Sequence, residues 1–363
     1  MLNDTELQSV LQEPLHWNRA RITFIVAFVL ALMKVTTVNL TKVANALGGT
    51  ARKQSNYRRI QRFFSGFVFD YDAWAEMVLR LVPVESDFVI SIDRTNWRFG
   101  CFEINILMAA VVYKGTAYPL VWMLLNKAGS SNTAERTALI ERLLCVLPEA
   151  SIKAIVADRE FIGTKWLTTL DDYALPYYIR IRQNAHVGYR GGTRSARVLF
   201  RDLKPGQSRK LCKRRLVYGQ QVFVAALRLE RDYLIVVSNT SVYQALEIYR
   251  LRWGIEVLFF SLKSRGFNFE ETHLIDHERI KKLVALLALA FTWAHLVGLW
   301  LAEVEPPAIK NHGRLGRSLF RSGLDQLQYV LLNREHQRAA FSECVWVLIA
   351  PLIEPDTLEG ARS

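Results

Sequence analysis

Between Tyr249 and Lys263 the chain reads Tyr-Arg-Leu-Arg-Trp-Gly-Ile-Glu-Val-Leu-Phe-Phe-Ser-Leu-Lys. Tyr249, Arg252, Glu256 and Lys263 follow one another at steps of three, four and seven residues. At 3.6 residues per turn those steps return to nearly one face of a helix. One carboxylate flanked by two cations and a phenol, on a helix otherwise rich in Trp253, Ile255, Leu258, Phe259 and Phe260, suits a site that holds a metal ion beside phosphates. The same spacing also describes an amphipathic helix with an i,i+4 Arg–Glu pair and a solvated stripe. The stretch alone does not separate the two.

Two more carboxylates each close an apolar run, in Ser91-Ile92-Asp93-Arg94-Thr95-Asn96-Trp97 and in Val156-Ala157-Asp158-Arg159-Glu160-Phe161. Residues at strand ends lie at the rim of a sheet, where ligands bind. Each Asp taken singly is equally a turn or cap residue. If the two strands are neighbours, Asp93 and Asp158 share one crevice and Glu256 is available as a third acid. Three carboxylates repel one another unless a cation compensates them. Hard divalent ions with oxygen ligands do so, Mg²⁺ most commonly and Mn²⁺ as its substitute. Two such ions can activate an attacking oxygen and stabilise the leaving oxygen of a phosphodiester. Glu160 would point away from Asp158 if the strand continued, and Glu271 and Asp276 lie beyond the helix. Arg94 and Arg159 either contact phosphate or balance charge.

The elements that must position these groups follow from the pattern of apolar residues. Residues 1–80 read as helical: Asn39–Leu47, a break at Gly48-Gly49, and a second helix from Thr50, its expected N-cap, to Phe64. That second helix carries Arg52, Lys53, Gln54, Asn56, Arg58, Arg59 and Arg62 on its expected polar side, the composition of a recognition helix. From residue 87 the period shortens. Phe88–Ile92, Phe102–Tyr113 and Ala117–Leu125 read as strands, with Lys114-Gly115-Thr116 as a turn. A helix at 133–147, a strand at 152–157, a short helix at 165–173 and a strand at 177–182 follow, an order that suits a mixed sheet with helices on its faces. Residues 187–232 read as a β-rich insertion with turns at Gly191-Gly192, Pro205-Gly206 and Tyr218-Gly219. A strand at 233–238, the Glu256 helix, an apolar helix at 283–302 and a helical stretch at 314–353 complete the chain.

The 363 residues carry a formal charge of +13, and 51% are hydrophobic, which excludes a disordered chain and points to a polyanionic partner. The charge is concentrated. Lys42 to Arg62 holds six basic residues and no acid, and Arg180 to Arg215 holds twelve against one, Asp202. Two basic blocks imply two nucleic-acid surfaces. The four cysteines are widely spaced, with no paired spacing for zinc, and fit a reducing cytoplasm. Leu283–Ala302 is long enough to cross a bilayer but is interrupted by Thr292, His295 and Gly298, and reads as a core helix rather than a membrane span.

Ile92-Asp93-Arg94-Thr95-Asn96-Trp97, Ala157-Asp158-Arg159-Glu160-Phe161 and Tyr249-x2-Arg252-x3-Glu256-x6-Lys263 together resemble the DDE transposases of bacterial insertion sequences, specifically the insertion-sequence-four family with its Tyr-Arg-Glu-Lys signature. The resemblance implies an α/β fold: a ribonuclease H-like mixed sheet over 87–275, a β-rich basic insertion at 187–232, a helical DNA-binding region at 1–80 and a helical C-terminal region at 276–363. It implies cut-and-paste transposition in a bacterial cytoplasm. Asp93, Asp158 and Glu256 would hold Mg²⁺, or Mn²⁺ in its place, and catalyse strand cleavage and transfer. Tyr249, Arg252 and Lys263 would grip DNA beside the cut, while Arg52, Lys53, Arg58, Arg59 and Arg62 would contact the element's terminal repeats. The active form would be a homodimer on double-stranded DNA. Members often excise through a hairpin and stack a flipped base on an aromatic of the insertion; here Tyr189, Tyr218 and Phe223 are the available rings.

Overall fold

The structure is a computed structural model that describes residues 4–84, 86–308 and 316–352. Residues 1–3 of the expected N-terminal region, and 309–315 and 353–363 of the C-terminal one, lie outside the described residues. In chain order the elements are α1 (Asp4–Leu15), α2 (Arg19–Val35), α3 (Leu40–Ala46), α4 (Lys53–Gly66), α5 (Tyr71–Leu81), β1 (Phe88–Phe99), β2 (Phe102–Tyr113), β3 (Thr116–Leu124) and α6 (Thr133–Val146). Then come β4 (Ile152–Ala157), α7 (Thr164–Asp172), β5 (Tyr177–Ile181), β6 (His186–Tyr189), β7 (Gly192–Ser195), α8 (Ala196–Leu199), β8 (Ser208–Val217), β9 (Gln220–Arg228) and β10 (Tyr233–Ser238). The chain finishes with α9 (Ala245–Arg250), α10 (Trp253–Leu262), α11 (His277–Val304), α12 (Leu319–Leu332) and α13 (Arg338–Ile349). Two compact units result: Met1–Pro83, Trp97–Phe102 and Leu258–Ser363 in one, Val84–Asn96 and Glu103–Val257 in the other.

In the helical unit, helix starts are set by side chains that accept the free N–H groups of a first turn. Asn39 caps α3, Asp70 caps α5 and Asp276 caps α11. Thr50 was expected to cap the next helix, but α4 starts later, after Arg52, which makes no side-chain cap. Gly48 and Gly49 both take positive φ, so the turn between α3 and α4 runs longer than the glycine pair. Asn56, expected on the polar side of α4, is buried and donates to the Ala44 carbonyl, pinning α4 to α3. The 28-residue α11 is the unit's spine: it is long and apolar enough to cross a membrane, and its apolar side chains from Ile280 to Val297 are buried. It meets α12 at a glycine crossing, where a Cβ at Gly298 would collide with the Leu319 carbonyl and one at Gly323 with the Ala294 carbonyl. At a crossing this tight only glycine fits.

In the other unit the sheet has eight strands in the order β3-β2-β1-β4-β5-β10-β9-β8. β1, β4 and β5 are parallel neighbours, while β10 pairs antiparallel with β5 and β9, and β9 antiparallel with β8. This is a mixed α/β architecture, with α9 lying on β4, β5, β9 and β10 and α6 on β3. Two-residue turns with both residues at positive φ, Lys114-Gly115 and Tyr218-Gly219, close the β2–β3 and β8–β9 hairpins, the turn geometry that matches strand twist. The basic stretch at 187–232 is β-rich and runs between β5 and β10, which pair directly with each other. Its β8 and β9 extend the main sheet through β10, and only β6 and β7 form a sheet of their own. One expectation fails: Asp93 does not end its strand. β1 continues to Phe99, and what ends at Ile92 is its pairing with β4, because β4 itself stops at Ala157.

Candidate active site

The register pairs Ile92 with Ala157, so Asp93 and Asp158 are the next residues along two parallel neighbouring strands. The Asp93 carboxylate accepts from the Arg94 backbone N–H at 2.7 Å. Burial pushes its pKa up to about 6, against the pull of that N–H and of Arg252, with Asp158 and Glu160 adding to the rise. Asp158 accepts from the Tyr249 phenol at 3.3 Å and lies 3.9 Å from Arg180 Nη1. Burial raises the Tyr249 phenol to about 12, so it remains a donor.

Arg252 is the centre of the cluster. Nη1 reaches Asp93 Oδ2 at 3.5 Å and Nη2 forms an i,i+4 ion pair with Glu256 Oε1. Burial opposes its charge, but Tyr249, Glu256 and Asp93 outweigh it and raise its pKa above the ordinary guanidinium value. Its side chain is only 11% exposed, and Nε is buried without a hydrogen-bond acceptor among the described residues. A buried donor left unmatched costs about 1–3 kcal/mol, and an anionic oxygen delivered by a ligand would relieve it.

Tyr249 to Lys263 was expected as one helix. It is two, α9 and α10, joined through Leu251 and Arg252. The N–H groups of Leu251, Arg252, Gly254 and Ile255 each bond three residues back instead of four, which tightens the spiral at the junction. Gly254 presses on β3: a Cβ there would sit 2.9 Å from the Thr116 carbonyl carbon. Tyr249 and Arg252 thus reach Asp158 and Asp93, and Glu256 is joined to Asp93 through Arg252. Lys263 belongs to the helical unit, where its ammonium lies 5.4 Å from the centre of the Trp97 ring and 2.7 Å from Glu270.

Two partners were not picked out from the sequence. Arg180 binds Asp232 at 3.2 Å while facing Asp158; the alternation Tyr177-Tyr178-Ile179-Arg180-Ile181 was its signal, a lone cation within a buried strand. Glu160, past the end of β4, forms an ion pair with Arg94 at 3.0 Å, so that Arg94 balances a neighbouring carboxylate. Arg159 is exposed.

Asp93, Asp158 and Glu256 supply only carboxylate oxygens, the donors a hard divalent ion takes. Among the described residues no three His, Cys, Asp or Glu side chains converge on one point. The cation that joins Asp93 to Glu256 is the Arg252 guanidinium. The donor chemistry therefore fits a divalent metal, with the positive charge of Arg252 already balancing the acids.

Arg52, just before α4, and Lys53, Arg58 and Arg62 on it are exposed, whereas the Arg59 guanidinium lies 5.8 Å from the centre of the Phe24 ring. Lys53, Gln54, Tyr57, Arg58 and Gln61 face Thr41 and Asn45 of α3 across an open cleft of about 330 Å³. In the second basic block, Tyr189 has Arg190 and Arg215 at 5.2 and 5.7 Å and Phe223 has Arg214 at 5.1 Å, so two of the three candidate rings already carry cations.

Residues 88–293, more than half of the chain, match the family described as the transposase DDE domain. Among curated proteins there is no match. Among solved structures, endonuclease V from Bacillus subtilis aligns at 10% identity over 58% of this chain and 91% of its own length, with a TM-score of 0.28.

Proposed function

Because the chain belongs to the transposase DDE domain family, whose members cut and rejoin DNA phosphodiesters with the help of divalent metal, we propose that it is the cut-and-paste transposase of a bacterial insertion sequence. In this reading it belongs to the insertion-sequence-four branch, with a ribonuclease H-like core, and works on the bacterial nucleoid in the cytoplasm. Asp93, Asp158 and Glu256 hold Mg²⁺, Arg252 and Tyr249 grip the strand being cut, and α4 with Lys53, Arg58 and Arg62 reads the terminal inverted repeats. Two copies synapse two DNA ends.

One observation carries the reading: Asp93 and Asp158 each follow the last paired residue of two parallel strands while Arg252 ties Asp93 to Glu256. Bound Mg²⁺ would supply the activation of the attacking oxygen and the charge relief at the leaving oxygen. The residues do the rest. Asp93 and Asp158 orient toward a common scissile phosphate, Tyr249 holds Asp158 by its phenolic proton, and Arg252 offers its unmatched Nε–H to a phosphate oxygen. The exposed cations of α4 neutralise DNA phosphates and release counterions.

The test incubates the full chain with Mg²⁺ and DNA bearing the inverted repeats that flank its own reading frame. Cleavage at the repeat ends followed by joining to target DNA is the expected result. Cleavage without joining makes it a structure-specific nuclease, and binding without cleavage makes it a DNA-binding protein with an inert core.

A further inference from the structure

One residue past Asp93, the Arg94 side chain reaches the loop that carries Asp158. Its Nε and Nη2 donate to the two oxygens of Glu160 at 3.0 and 3.2 Å, a two-pronged fork. Both side chains are largely covered, at 13% and 22% exposure. Each end of the fork is anchored. Arg94 Nη1 also donates to Asn105 Oδ1 at 3.1 Å and to Asn96 Oδ1 at 3.4 Å. Asn105 is fully buried and donates on to the carbonyls of Lys127 and Gly129. At the other end, buried Arg136 donates to the Glu160 carbonyl at 3.1 Å and to the carbonyl and hydroxyl of Ser131, and its guanidinium lies 5.0 Å from the centre of the Phe161 ring.

Glu160 is the third residue of a turn closed by the Phe161 N–H donating to the Asp158 carbonyl at 2.9 Å. The fork therefore joins the residue after one carboxylate to the turn that begins with the other. It acts where the β1–β4 ladder has already ended, at Ile92 and Ala157. Past that point strand pairing no longer fixes the two aspartates against each other, and the fork takes over.

We propose that Arg94 and Glu160 are a positioning pair that fixes the separation of the Asp93 and Asp158 carboxylates and thereby sets the chain's affinity for a divalent cation. The inference rests on those aspartates being metal ligands, as read above. Hard cations demand oxygens at nearly fixed distances, and partners that orient ligands change metal affinity by about 10–100-fold.

The test titrates the full chain with Mn²⁺ alone, without DNA, by calorimetry. Asp93→Asn checks the ligand reading and should lose Mn²⁺ binding; unchanged binding overturns that reading and this one with it. Glu160→Gln and Arg94→Lys break the fork while keeping side-chain length, and each should weaken Mn²⁺ binding about tenfold or more. The double variant Arg94→Gln/Glu160→Gln restores a matched amide pair and should recover much of the loss. Val224→Ala, which only trims buried β9 packing, should lower the melting temperature and leave Mn²⁺ affinity intact. If Asp93→Asn loses Mn²⁺ while both fork variants bind like the parent, the fork is structural and the proposal alone fails. Loss in Glu160→Gln without loss in Arg94→Lys makes Glu160 itself a ligand, and equal loss in Val224→Ala reduces the effect to stability; either result overturns it.

Discussion

The phenol of Tyr249 donates to Asp158 Oδ1 at 3.3 Å, joining residues 91 positions apart in the chain. Burial keeps that phenol protonated far above neutral pH, so the contact is a permanent donor and not a titrating switch. It ties the helix pair α9–α10 to the end of β4. Hydrogen bonds to charged groups contribute about 1.5–3 kcal/mol. Tyr249→Phe should therefore fold normally and slow single-turnover cleavage of repeat-end DNA by about tenfold or more, since 1.4 kcal/mol is tenfold. A Phe variant that cleaves at the parent rate removes Tyr249 from the site.

Asp93 gives the metal-free chain a pH signature. Its folded pKa is raised, from 3.8 to about 6, so the stabilisation it contributes is complete below about pH 4 and is lost as pH climbs through 6. At 1.36 kcal/mol per unit the ionised carboxylate costs about 3 kcal/mol. Asp93→Asn should melt with the parent near pH 4 and above it at pH 7–8, measured in chelator. Parallel melting curves across that window would show that the Asp93 carboxylate is not desolvated.

Arg252→Ala leaves Asp93 and Glu256 without the cation that joins them. Breaking such a pair in a largely covered site costs about 3–5 kcal/mol. The variant should melt lower than the parent without metal and gain more from added Mg²⁺ than the parent does, because the freed carboxylates attract the ion. The readout is the difference in melting temperature with and without Mg²⁺; an equal gain in both proteins counts against competition between guanidinium and metal.

Gly254→Ala introduces a Cβ 2.9 Å from the Thr116 backbone and 3.2 Å from Val112 Cγ1. Backbone cannot yield as a flexible side chain does, so the start of α10 must shift, at about 1–3 kcal/mol. Cleavage should fall by an order of magnitude or more while binding of repeat DNA through α4 persists, measured by gel shift and cleavage on the same substrate.

The basic residues of α4 divide by environment. Arg58 and Arg62 are exposed, and Arg58→Ala with Arg62→Ala should lower the slope of log affinity against log salt by about 0.9 for each phosphate no longer neutralised. Arg59→Ala removes the cation beside Phe24 and should act more on the stability of the helical unit than on that slope. Salt titrations of repeat-DNA binding for the three substitutions separate the roles.

What could be read from the chain was local. The apolar runs became β4 and β10 with the expected bounds, and Lys114-Gly115 and Tyr218-Gly219 gave hairpin turns because they separate strand-forming runs and their glycines accept positive φ. What could not be read depended on distant partners. Whether β8 and β9 join the main sheet is decided by their pairing with β10, and where β1 stops being parallel is decided by the length of β4. The same holds at the site. Tyr249, Arg252 and Glu256 were legible from their spacing, but the close packing of Gly254 on Thr116 at the start of α10 and the pairing of Glu160 with Arg94, 66 residues away, were not. Neither leaves a periodic trace.

β8 ends the sheet. Opposite β9 its register slips between Leu211 and Arg215, so that Cys212, Lys213 and Arg214 bulge from the ladder, all exposed. A terminal strand is a template for unwanted pairing with another chain, and bulges and lysines are what blunt it. The cations that suit this strand to a polyanion are thus also its guard against aggregation. Replacing Lys210, Lys213 and Arg214 with neutral residues to weaken DNA binding would strip that guard as well, leaving a protein that precipitates before its DNA affinity can be compared.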